Sequence, residues 1–514
     1  MRGFSRATPS RAARSLGSAS LRRRRLSPRL ESPEVELEAL IRALAPSDVI
    51  GRRPVDVALL AYDTRRVESG ALFFCVPGAR ADGHDLAGAA VAAGATALVV
   101  ERRVDVAVPQ LVVESVRAAM PVAADVFYGQ PTRRLEVAGV TGTNGKSTVA
   151  AVVRSILQCD GRQTGVIGTV DWVVGGERRP APFTTPEAID LHAALREMVD
   201  AGDEAVVLEA SSHGSHYRRL DRVRFAALAF TNLSQDHLDL HGSMEEYFQA
   251  KRRLFVGPEP PPAAVNVGDA HGRRLGDELA SAGRAPVVTF GLRPDAEVRP
   301  DGLELDERGS RFTAAGIGLK TSLRGIFNVE NVLAAVATAL LLDVDEDAIA
   351  AGVAAAPQVP GRFEPVQSDR PFTVLVDYAH TPDALDRVLE AARALCEGRL
   401  IVVFGAGGDR DRAKRPLMGR VARERADVIV LTSDNPRSED PLEIIGEIVE
   451  GAGTDIEIDP DRASAIRRAI GLAAPGDVVV IAGKGHEQGQ EIAGVTHAFD
   501  DREVVRAALE EAPA

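Results

Sequence analysis

The feature that most constrains this chain is a glycine-rich loop, Gly-Val-Thr-Gly-Thr-Asn-Gly-Lys-Ser-Thr, at residues 139–148. An apolar, strand-like run precedes the loop at 135–140, and a helix-like stretch follows it at 149–157. In such a loop, backbone N–H groups and a helix N-terminus surround phosphate oxygens, a lysine supplies a cation and a hydroxyl suits Mg²⁺. The pattern therefore predicts a strand, loop and helix that bind ATP. The predicted contacts are Gly142, Thr143, Asn144, Gly145, Lys146, Ser147 and Thr148.

Length and composition limit the class of protein. A chain of 514 residues exceeds the size at which one core keeps growing, which predicts about three domains. The hydrophobic fraction of 45%, the charged fraction of 26% and the net charge of −13 are typical of a globular protein that does not bind nucleic acid. No apolar run reaches the roughly 18 residues needed to span a membrane, so we expect no membrane insertion.

The three cysteines, Cys75, Cys159 and Cys396, are too far apart in sequence to suggest a zinc site or a disulfide framework. We therefore expect a cytoplasmic protein, and we expect it to act as a monomer.

The first thirty residues differ from the rest, with nine arginines and no acidic residue. The first interpretation of this composition is a disordered basic tail, or a start codon assigned too far upstream. A transit peptide is a second interpretation, because such segments are rich in arginine and poor in acids. A nucleic-acid-binding arm is the third interpretation.

Three segments follow the tail. Residues 31–134 mix short apolar runs with turns, which indicates a small α/β domain. Residues 135–358 alternate strand-like and helical stretches, as in a doubly wound sheet, with a small β insertion near 295–322. The alternation restarts over 359–514, which predicts a second, Rossmann-like domain. The predicted fold class is thus α/β with three domains.

Acidic residues and histidines follow two of the predicted central strands. Glu209 ends one strand, and His237 follows another within Thr231-Asn-Leu-Ser-Gln-Asp-His237. Ligands of open α/β sheets lie at the carboxyl ends of strands, so we expect both side chains to bind Mg²⁺ beside the phosphates. Taken singly, Glu209 could cap the next helix and His237 could be a hydrogen-bonded surface histidine.

An ordered set of motifs along most of the chain resembles the Mur ligases. The motifs are the loop at 141–148, Thr184-Thr-Pro-Glu187, Glu209-Ala-Ser-Ser-His213, Thr231–His237, Gly325-Ile-Phe-Asn-Val-Glu-Asn331, Pro360-Gly-Arg-Phe-Glu364 and Asp377-Tyr-Ala-His-Thr-Pro382. The resemblance implies that the three domains bind a UDP-sugar, ATP and an amino acid, respectively.

The resemblance also implies residue roles. Lys146, Glu209, His237 and Lys251 would be catalytic, with Ser147, Glu209, His237 and Lys251 at the metal ions and a CO₂-derived carbamate on Lys251. Without the resemblance, Lys251 is only the charged end of an amphipathic helix. Asn328, Arg362 and Asp377 would contact ATP. The UDP-sugar dipeptide would contact Thr64, Thr184, Thr185, Ser211 and Arg219.

The segment Ser433-Asp-Asn-Pro-Arg437 matches Mur ligases that use meso-diaminopimelate. A guanidinium can hold a carboxylate through two hydrogen bonds, and diaminopimelate has a second carboxylate that lysine lacks. The implied contacts of this amino acid are Arg410, Asp434, Asn435, Pro436, Arg437, Gly483 and Glu487.

The implied reaction is ATP-dependent ligation of meso-diaminopimelate to the D-Glu γ-carboxylate of UDP-N-acetylmuramoyl-L-alanyl-D-glutamate through an acyl phosphate, in peptidoglycan synthesis. Four alternatives stay open: the same ligase with L-lysine, a folate polyglutamylating ligase, a P-loop kinase or ATPase, and a non-catalytic scaffold. A dinucleotide site at Gly405–Arg410 is not supported, because Arg410 occupies the third glycine position of that fingerprint.

Overall fold

The computed structural model describes residues 34–78 and 81–511, so the basic segment 1–30 lies outside the described residues. Over these ranges the chain forms three α/β units in sequence order, as predicted. Within the same ranges, no helix combines the length and the apolar character needed to cross a membrane.

The first unit contains a five-stranded sheet, in spatial order Asp48–Ile50, Gln110–Val112, Ala95–Val100, Ala71–Phe74 and Leu59–Ala61. Its strand pairs are parallel except the first, which is antiparallel. A smaller antiparallel pair joins Val35–Glu36 to Asp56–Val57. The helices are Leu37–Leu44, Ala87–Ala92 and Val116–Phe127, and the 3₁₀ turns are Thr64–Arg66 and Pro131–Arg133.

The central unit contains an eight-stranded sheet. In spatial order the strands are Glu177–Pro180, Asp171–Val174, Thr164–Ile167, Ala205–Glu209, Glu136–Thr141, Ala227–Phe230, Ala263–Asn266 and Val287–Phe290. The last six are parallel, and the first two form an antiparallel edge. The helices are Lys146–Cys159, Ala188–Ala201, Ser212–His216, Leu238–His241, Met244–Arg252, Ala270–Ala282, Ile326–Leu341 and Glu346–Ala355.

The central sheet is buried on both faces, and its apolar residues alternate between two cores. Ala138 and Val207 pack in the core on one face, whereas Val137 and Val206 pack in the core on the other. Alternation follows from the two-residue period of a strand, and continuous apolar runs are expected where helices cover both faces. The parallel arrangement directs the carboxyl ends of these strands to one edge, where the P-loop lies.

The predicted β insertion is a three-stranded antiparallel sheet of Asp301–Asp306, Gly309–Ala314 and Ile317–Thr321. The apolar segment near residue 332 forms part of the core helix Ile326–Leu341.

The C-terminal unit contains a six-stranded sheet, in spatial order Glu364–Pro365, Thr373–Asp377, Val478–Ala482, Leu400–Phe404, Val428–Leu431 and Glu457–Ile458. All pairs except the first are parallel, which confirms the Rossmann-like prediction. The helices are Pro382–Arg393, Lys414–Arg425, Pro441–Ala452, Arg462–Leu472 and Asp501–Glu511, and the strands Gly489–Ile492 and Val495–Ala498 form a separate hairpin.

Candidate active site

One cavity of about 540 Å³ lies where the P-loop, the ends of the central strands and the C-terminal unit meet. Many of the residues predicted to act in catalysis or binding line it. They are Thr143, Asn144, Gly145, Lys146, Ser147, Thr148, Thr184, Thr185, Glu209, Ser211, Arg219, His237, Arg362, Asp377 and Arg410. Residues separated by more than 250 positions are thus brought to one site.

The P-loop conformation depends on two glycines. Gly142 has φ +150°, and a Cβ there would lie 1.8 Å from Thr231 Oγ1. Gly145 has φ +89°, and a Cβ there would lie 2.3 Å from Asn331 Oδ1. Any larger side chain would displace the loop, so these glycines set the path that precedes the helix at Lys146.

Two lysines approach the same carbonyl of this loop. Lys146 Nζ donates to Gly142 O at 3.0 Å, and Lys251 Nζ donates to the same oxygen at 2.9 Å. Lys251 is 1% exposed, so it is not the solvated end of a helix that its sequence context suggests. Burial lowers the pKa of Lys251 well below its ordinary value, and the charge of Lys146 lowers it further. Burial also lowers the pKa of Lys146, against the attraction of Glu209.

Glu209 is buried, and Thr169 donates a hydrogen bond to each oxygen of its carboxylate. Its Oε1 accepts the Thr169 backbone N–H at 2.9 Å, and its Oε2 accepts the Thr169 hydroxyl at 2.8 Å. It does not cap the next helix, because the side chain of Ser211 accepts the backbone N–H of Gly214 there. The carboxylate therefore faces the cavity with a fixed orientation.

His237 has left-handed backbone torsions, with φ 55° and ψ 26°. Burial lowers the pKa of its imidazole to about 3, against the attraction of Asp236, so the ring is neutral near pH 7 and can act as a metal ligand. Burial opposes ionisation of Asp236, but His237, His380 and Lys414 lower the pKa of this carboxyl to about 2. The site therefore combines a carboxylate and a neutral imidazole on adjacent residues.

The donor groups of this cavity can be compared with the ligands that Mg²⁺ prefers. In the two described ranges, no three His, Cys, Asp or Glu side chains form a preformed metal site. Mg²⁺ ordinarily binds through one or two carboxylates, with waters and substrate phosphates completing its shell. Glu209, the hydroxyl of Ser147 and His237 line one cavity beside a P-loop, so the donor set fits Mg²⁺ held jointly with a nucleotide.

The residues predicted to bind the dipeptide form one network. The Thr185 hydroxyl donates to Glu209 O at 2.6 Å and accepts Ser211 N–H at 3.0 Å. Arg219 donates to Thr185 O at 2.8 Å. Thr184 lies beside them, with its hydroxyl 3.0 Å from the Thr169 hydroxyl. The network links this set directly to the strand that carries Glu209.

The nucleotide set comes from two units. Arg362 donates to the Ser147 hydroxyl at 3.3 Å, and its guanidinium lies 4.4 Å from the centre of the Tyr378 ring. Burial raises the pKa of Asp377 to about 6, although Arg362 opposes the shift. Asn328 is buried and accepts a hydrogen bond from Asn331 at 2.9 Å. Arg362 thus connects the C-terminal unit to the P-loop.

The remaining residues predicted to bind the amino acid cluster on the C-terminal unit. Asn435 accepts from the buried Lys484 Nζ at 2.9 Å and donates to Glu487 at 2.9 Å. Lys484 also lies 2.9 Å from Glu487. Gly483 has φ +118°, and a Cβ there would lie 2.4 Å from Asp434 Oδ2. That oxygen is buried and has no hydrogen-bond partner in the described part of the chain.

Arg437 adjoins this cluster and has φ +54°, an unusual torsion for a residue other than glycine. Its Nη1 donates to Gly408 O at 2.5 Å. A Cβ at Gly407 would lie 3.1 Å from Arg437 Nη1 and 3.9 Å from Arg410 Cγ. Pro436 O would lie 1.9 Å from a Cβ at Gly408. A side chain at position 407 would therefore crowd both Arg437 and Arg410, and Arg410 lines the cavity.

Thr64 is not among the residues that line the cavity. It begins the turn Thr64–Arg66 of the first unit. That turn contacts the central unit through Arg66, whose guanidinium lies 2.7 Å from Asp190.

Family models match three parts of the chain. A Mur ligase middle domain matches residues 140–339, a Mur ligase glutamate ligase domain matches 361–485, and a Mur ligase family catalytic domain matches 56–128. The chain belongs to the Mur ligase family. Among curated relatives, the UDP-N-acetylmuramoyl-L-alanyl-D-glutamate–2,6-diaminopimelate ligase of Geobacillus kaustophilus is 45% identical, covering 89% of this chain and 95% of the relative. The enzyme of that name from Streptomyces coelicolor is 44% identical, covering 88% and 92%.

Solved structures also resemble this chain in fold. A structure described as a UDP-N-acetylmuramoyl-L-alanyl-D-glutamate–2,6-diaminopimelate ligase superposes with a TM-score of 0.67 at 34% identity, covering 93% of this chain and 99% of that one. The MurF ligase of Thermotoga maritima, solved with ADP, superposes with a TM-score of 0.59 at 19% identity, covering 88% and 97%. This second likeness bears on the fold alone.

Sequence reasoning missed three residues that organise the site. Thr169 orients Glu209, Asp236 supplies the charge beside His237, and Lys484 joins Asn435 to Glu487. Asp236 lies inside the segment Thr231–His237, and Lys484 follows Gly483, which the resemblance assigns to the amino-acid site. A charged residue next to a predicted site residue is therefore a usable signal. Thr169 follows a strand and carries no such signal.

Proposed function

We propose that this chain is an ATP-dependent ligase that joins meso-diaminopimelate to the D-Glu γ-carboxylate of UDP-N-acetylmuramoyl-L-alanyl-D-glutamate. The observation that carries the proposal is the single cavity in which a P-loop, an oriented carboxylate and arginines from two units meet. The names of relatives about 45% identical over most of the chain support the same substrates.

ATP would bind with its phosphates in the P-loop, at Gly142, Thr143, Asn144, Gly145, Lys146, Ser147 and Thr148. Lys146 would offset the charge that builds up on the γ-phosphate during transfer. Asn328, Arg362 and Asp377 would contact the rest of the nucleotide. The ADP bound to the MurF ligase of Thermotoga maritima supports nucleotide binding in this fold.

Mg²⁺ would be held by Ser147, Glu209, His237 and the carbamate of Lys251, and it would offset phosphate charge. The carbamate would form when the neutral amine of Lys251 captures CO₂. The lowered pKa of Lys251 supports this step, because burial favours the neutral amine at neutral pH.

The reaction would proceed in two steps. The γ-carboxylate of D-Glu attacks the γ-phosphorus of ATP and expels ADP, leaving an acyl phosphate. The amine of diaminopimelate then attacks the acyl carbon, and the tetrahedral intermediate loses inorganic phosphate and a proton. Thr184, Thr185, Ser211 and Arg219 would hold the dipeptide, and Thr64 would contact the uridine end.

The amino acid would bind at Arg410, Asp434, Asn435, Pro436, Arg437, Gly483 and Glu487. The free oxygen of Asp434 and the Glu487 carboxylate are suited to ammonium groups, and Arg437 is suited to the distal carboxylate. L-Lysine lacks that carboxylate, so Arg437 favours diaminopimelate over the lysine alternative.

We also propose the division into a tail at 1–30 and domains at 31–134, 135–358 and 359–514. The last two boundaries fall between secondary structure elements, which supports them. We propose that the protein acts as a monomer, because one chain supplies every residue assigned here. We also propose a cytoplasmic location.

The test is to trap the acyl phosphate. Protein, ATP and the UDP-linked dipeptide are incubated with hydroxylamine and no amino acid, and the products are identified by mass spectrometry. A hydroxamate of the dipeptide that requires ATP is the expected result. ADP formation without any hydroxamate would instead identify an ATPase, and ATP binding without turnover would identify a non-catalytic scaffold.

A further inference from the structure

The hairpin of Gly489–Ile492 and Val495–Ala498 holds the backbone of Arg437. The Arg437 N–H donates to Glu491 O at 3.0 Å, and Arg437 O accepts Ala493 N–H at 2.7 Å. These two bonds form an isolated bridge between Arg437 and the first strand of the hairpin. The left-handed torsion of Arg437 is thereby maintained, and the side chains of Arg437 and Glu491 lie close together.

Nε and Nη2 form one edge of the Arg437 guanidinium, and neither nitrogen donates a hydrogen bond within residues 34–78 and 81–511. Its Nη1 donates to Gly408 O at 2.5 Å. A carboxylate can bind both nitrogens of the Nε and Nη2 edge at once. Glu491 Oε2 already lies 3.4 Å from Arg437 Nε, on that edge. No other acidic side chain within residues 34–78 and 81–511 forms an ion pair with Arg437.

This ion pair is accessible to ligand. The side chain of Arg437 is 23% exposed and that of Glu491 is 43% exposed. The carboxylate of Glu491 can therefore move into water at small cost, whereas Arg437 is fixed by its backbone and by Gly408. An exposed ion pair of this kind is weak, so it can be displaced by a ligand that binds both nitrogens.

We propose that Glu491 is an internal competitor of the amino-acid substrate: its carboxylate occupies the Nε edge of Arg437 until the distal carboxylate of diaminopimelate displaces it. The inference rests on the proposed function of Arg437. Glu491 acts through Arg437 and is a specificity residue, not a catalytic one. It shields the guanidinium from unrelated anions, including the phosphate that the reaction releases.

A different role for Glu491 makes the opposite prediction. If its carboxylate bound the distal ammonium of diaminopimelate, its removal would weaken binding of the amino acid. If Glu491 instead competes with the distal carboxylate of diaminopimelate for Arg437, its removal strengthens binding of the amino acid. The sign of the change in KM therefore decides between the two roles.

The test compares the full-length wild-type protein with Glu491→Gln and Glu491→Ala. Both changes keep the backbone bonds of the hairpin, and Glu450→Gln, on the exposed face of the helix Pro441–Ala452, is a matched control for loss of one charge. We expect the KM for meso-diaminopimelate to fall about two- to fivefold in both Glu491 variants, the range for release of an exposed ion pair, with kcat unchanged. Phosphate should inhibit these variants more strongly, in competition with the amino acid.

If wild-type turnover depends on diaminopimelate but the KM is unchanged or raised in both Glu491 variants, the inference about Glu491 is overturned and the proposed function stands. A wild-type enzyme with no dependence on any amino acid would overturn the proposed function, and this inference with it.

Discussion

Lys146 and Lys251 donate to the same carbonyl oxygen, that of Gly142, at 3.0 and 2.9 Å. Two buried ammonium groups at one acceptor repel each other, which favours the neutral form of one of the two amines. Burial, and then Lys146, lower the pKa of Lys251 well below its ordinary value, which favours the neutral amine at this residue. A neutral, buried amine beside a phosphate loop is suited to capture CO₂.

The first prediction is a carbamate on Lys251. The chain has only five lysines, so protein incubated with ¹³C-bicarbonate should give a simple carbamate carbonyl signal in the ¹³C NMR spectrum. Lys251→Arg should lose the signal, because a guanidinium cannot form the carbamate. Lys320→Arg, on an exposed strand position of the β insertion, is the control and should retain it. A signal that persists in Lys251→Arg would refute the assignment.

The second prediction concerns Lys146. Lys146→Ala removes the cation at the γ-phosphate, and loss of one such charge should lower kcat by at least about a hundredfold. Circular dichroism and the unfolding midpoint should stay close to those of the wild type, because the loop path is set by Gly142 and Gly145. Lys320→Ala serves as the control. Turnover near the wild-type rate in Lys146→Ala would exclude the proposed role.

The third prediction concerns Arg437 and the choice of amino acid. Lysine keeps the charge but cannot form a bidentate pair with a carboxylate, so Arg437→Lys should raise the KM for diaminopimelate about 10- to 100-fold. Arg423→Lys, at an exposed position of the helix Lys414–Arg425, should change nothing. An unaltered KM in Arg437→Lys would mean that another residue binds the distal carboxylate.

The fourth prediction concerns acid stability. His192 is fully buried, and neither ring nitrogen has a hydrogen-bond partner in the described part of the chain; the nearest acid, Asp125, lies 3.9 Å from Nδ1. Burial, and then Arg222, lower the pKa of His192 to about 4 from its ordinary 6.5. The unfolded chain therefore binds the proton first, and folding free energy is lost as the pH falls from 6.5 towards 4.

His192→Leu should remove this loss. The free energy of unfolding is compared at pH 7.5 and at pH 5 by denaturant titration. Its fall between these two pH values should be about 2 kcal/mol smaller in the variant than in the wild type. The control is His497→Leu, since His497 is exposed on the hairpin. An equal pH dependence in wild type and His192→Leu would show that His192 does not set the acid sensitivity.

The sequence predicted the fold well where patterns are local. The strand Ala205–Glu209 ends at Glu209, as predicted, because its apolar run is continuous up to that carboxylate. The helix after the P-loop begins at Lys146, three residues before the predicted stretch, because loop and helix share their first turn.

The site was harder to predict, because its contacts are not local. The burial of Lys251 depends on a loop more than 100 residues away, and the pairing of Arg437 with Glu491 depends on a hairpin bridge. Neither contact leaves a periodic signal in the sequence. The resemblance to Mur ligases identified Lys251 and Arg437, whereas the structure was needed to find Thr169, Lys484 and Glu491.

The most direct test of the central claim is phosphate release from ATP with UDP-N-acetylmuramoyl-L-alanyl-D-glutamate, in parallel with meso-diaminopimelate, L-lysine or no amino acid. We predict turnover with diaminopimelate and little with the other two. Equal turnover with lysine would contradict the role of Arg437, and release independent of any amino acid would contradict the ligase itself.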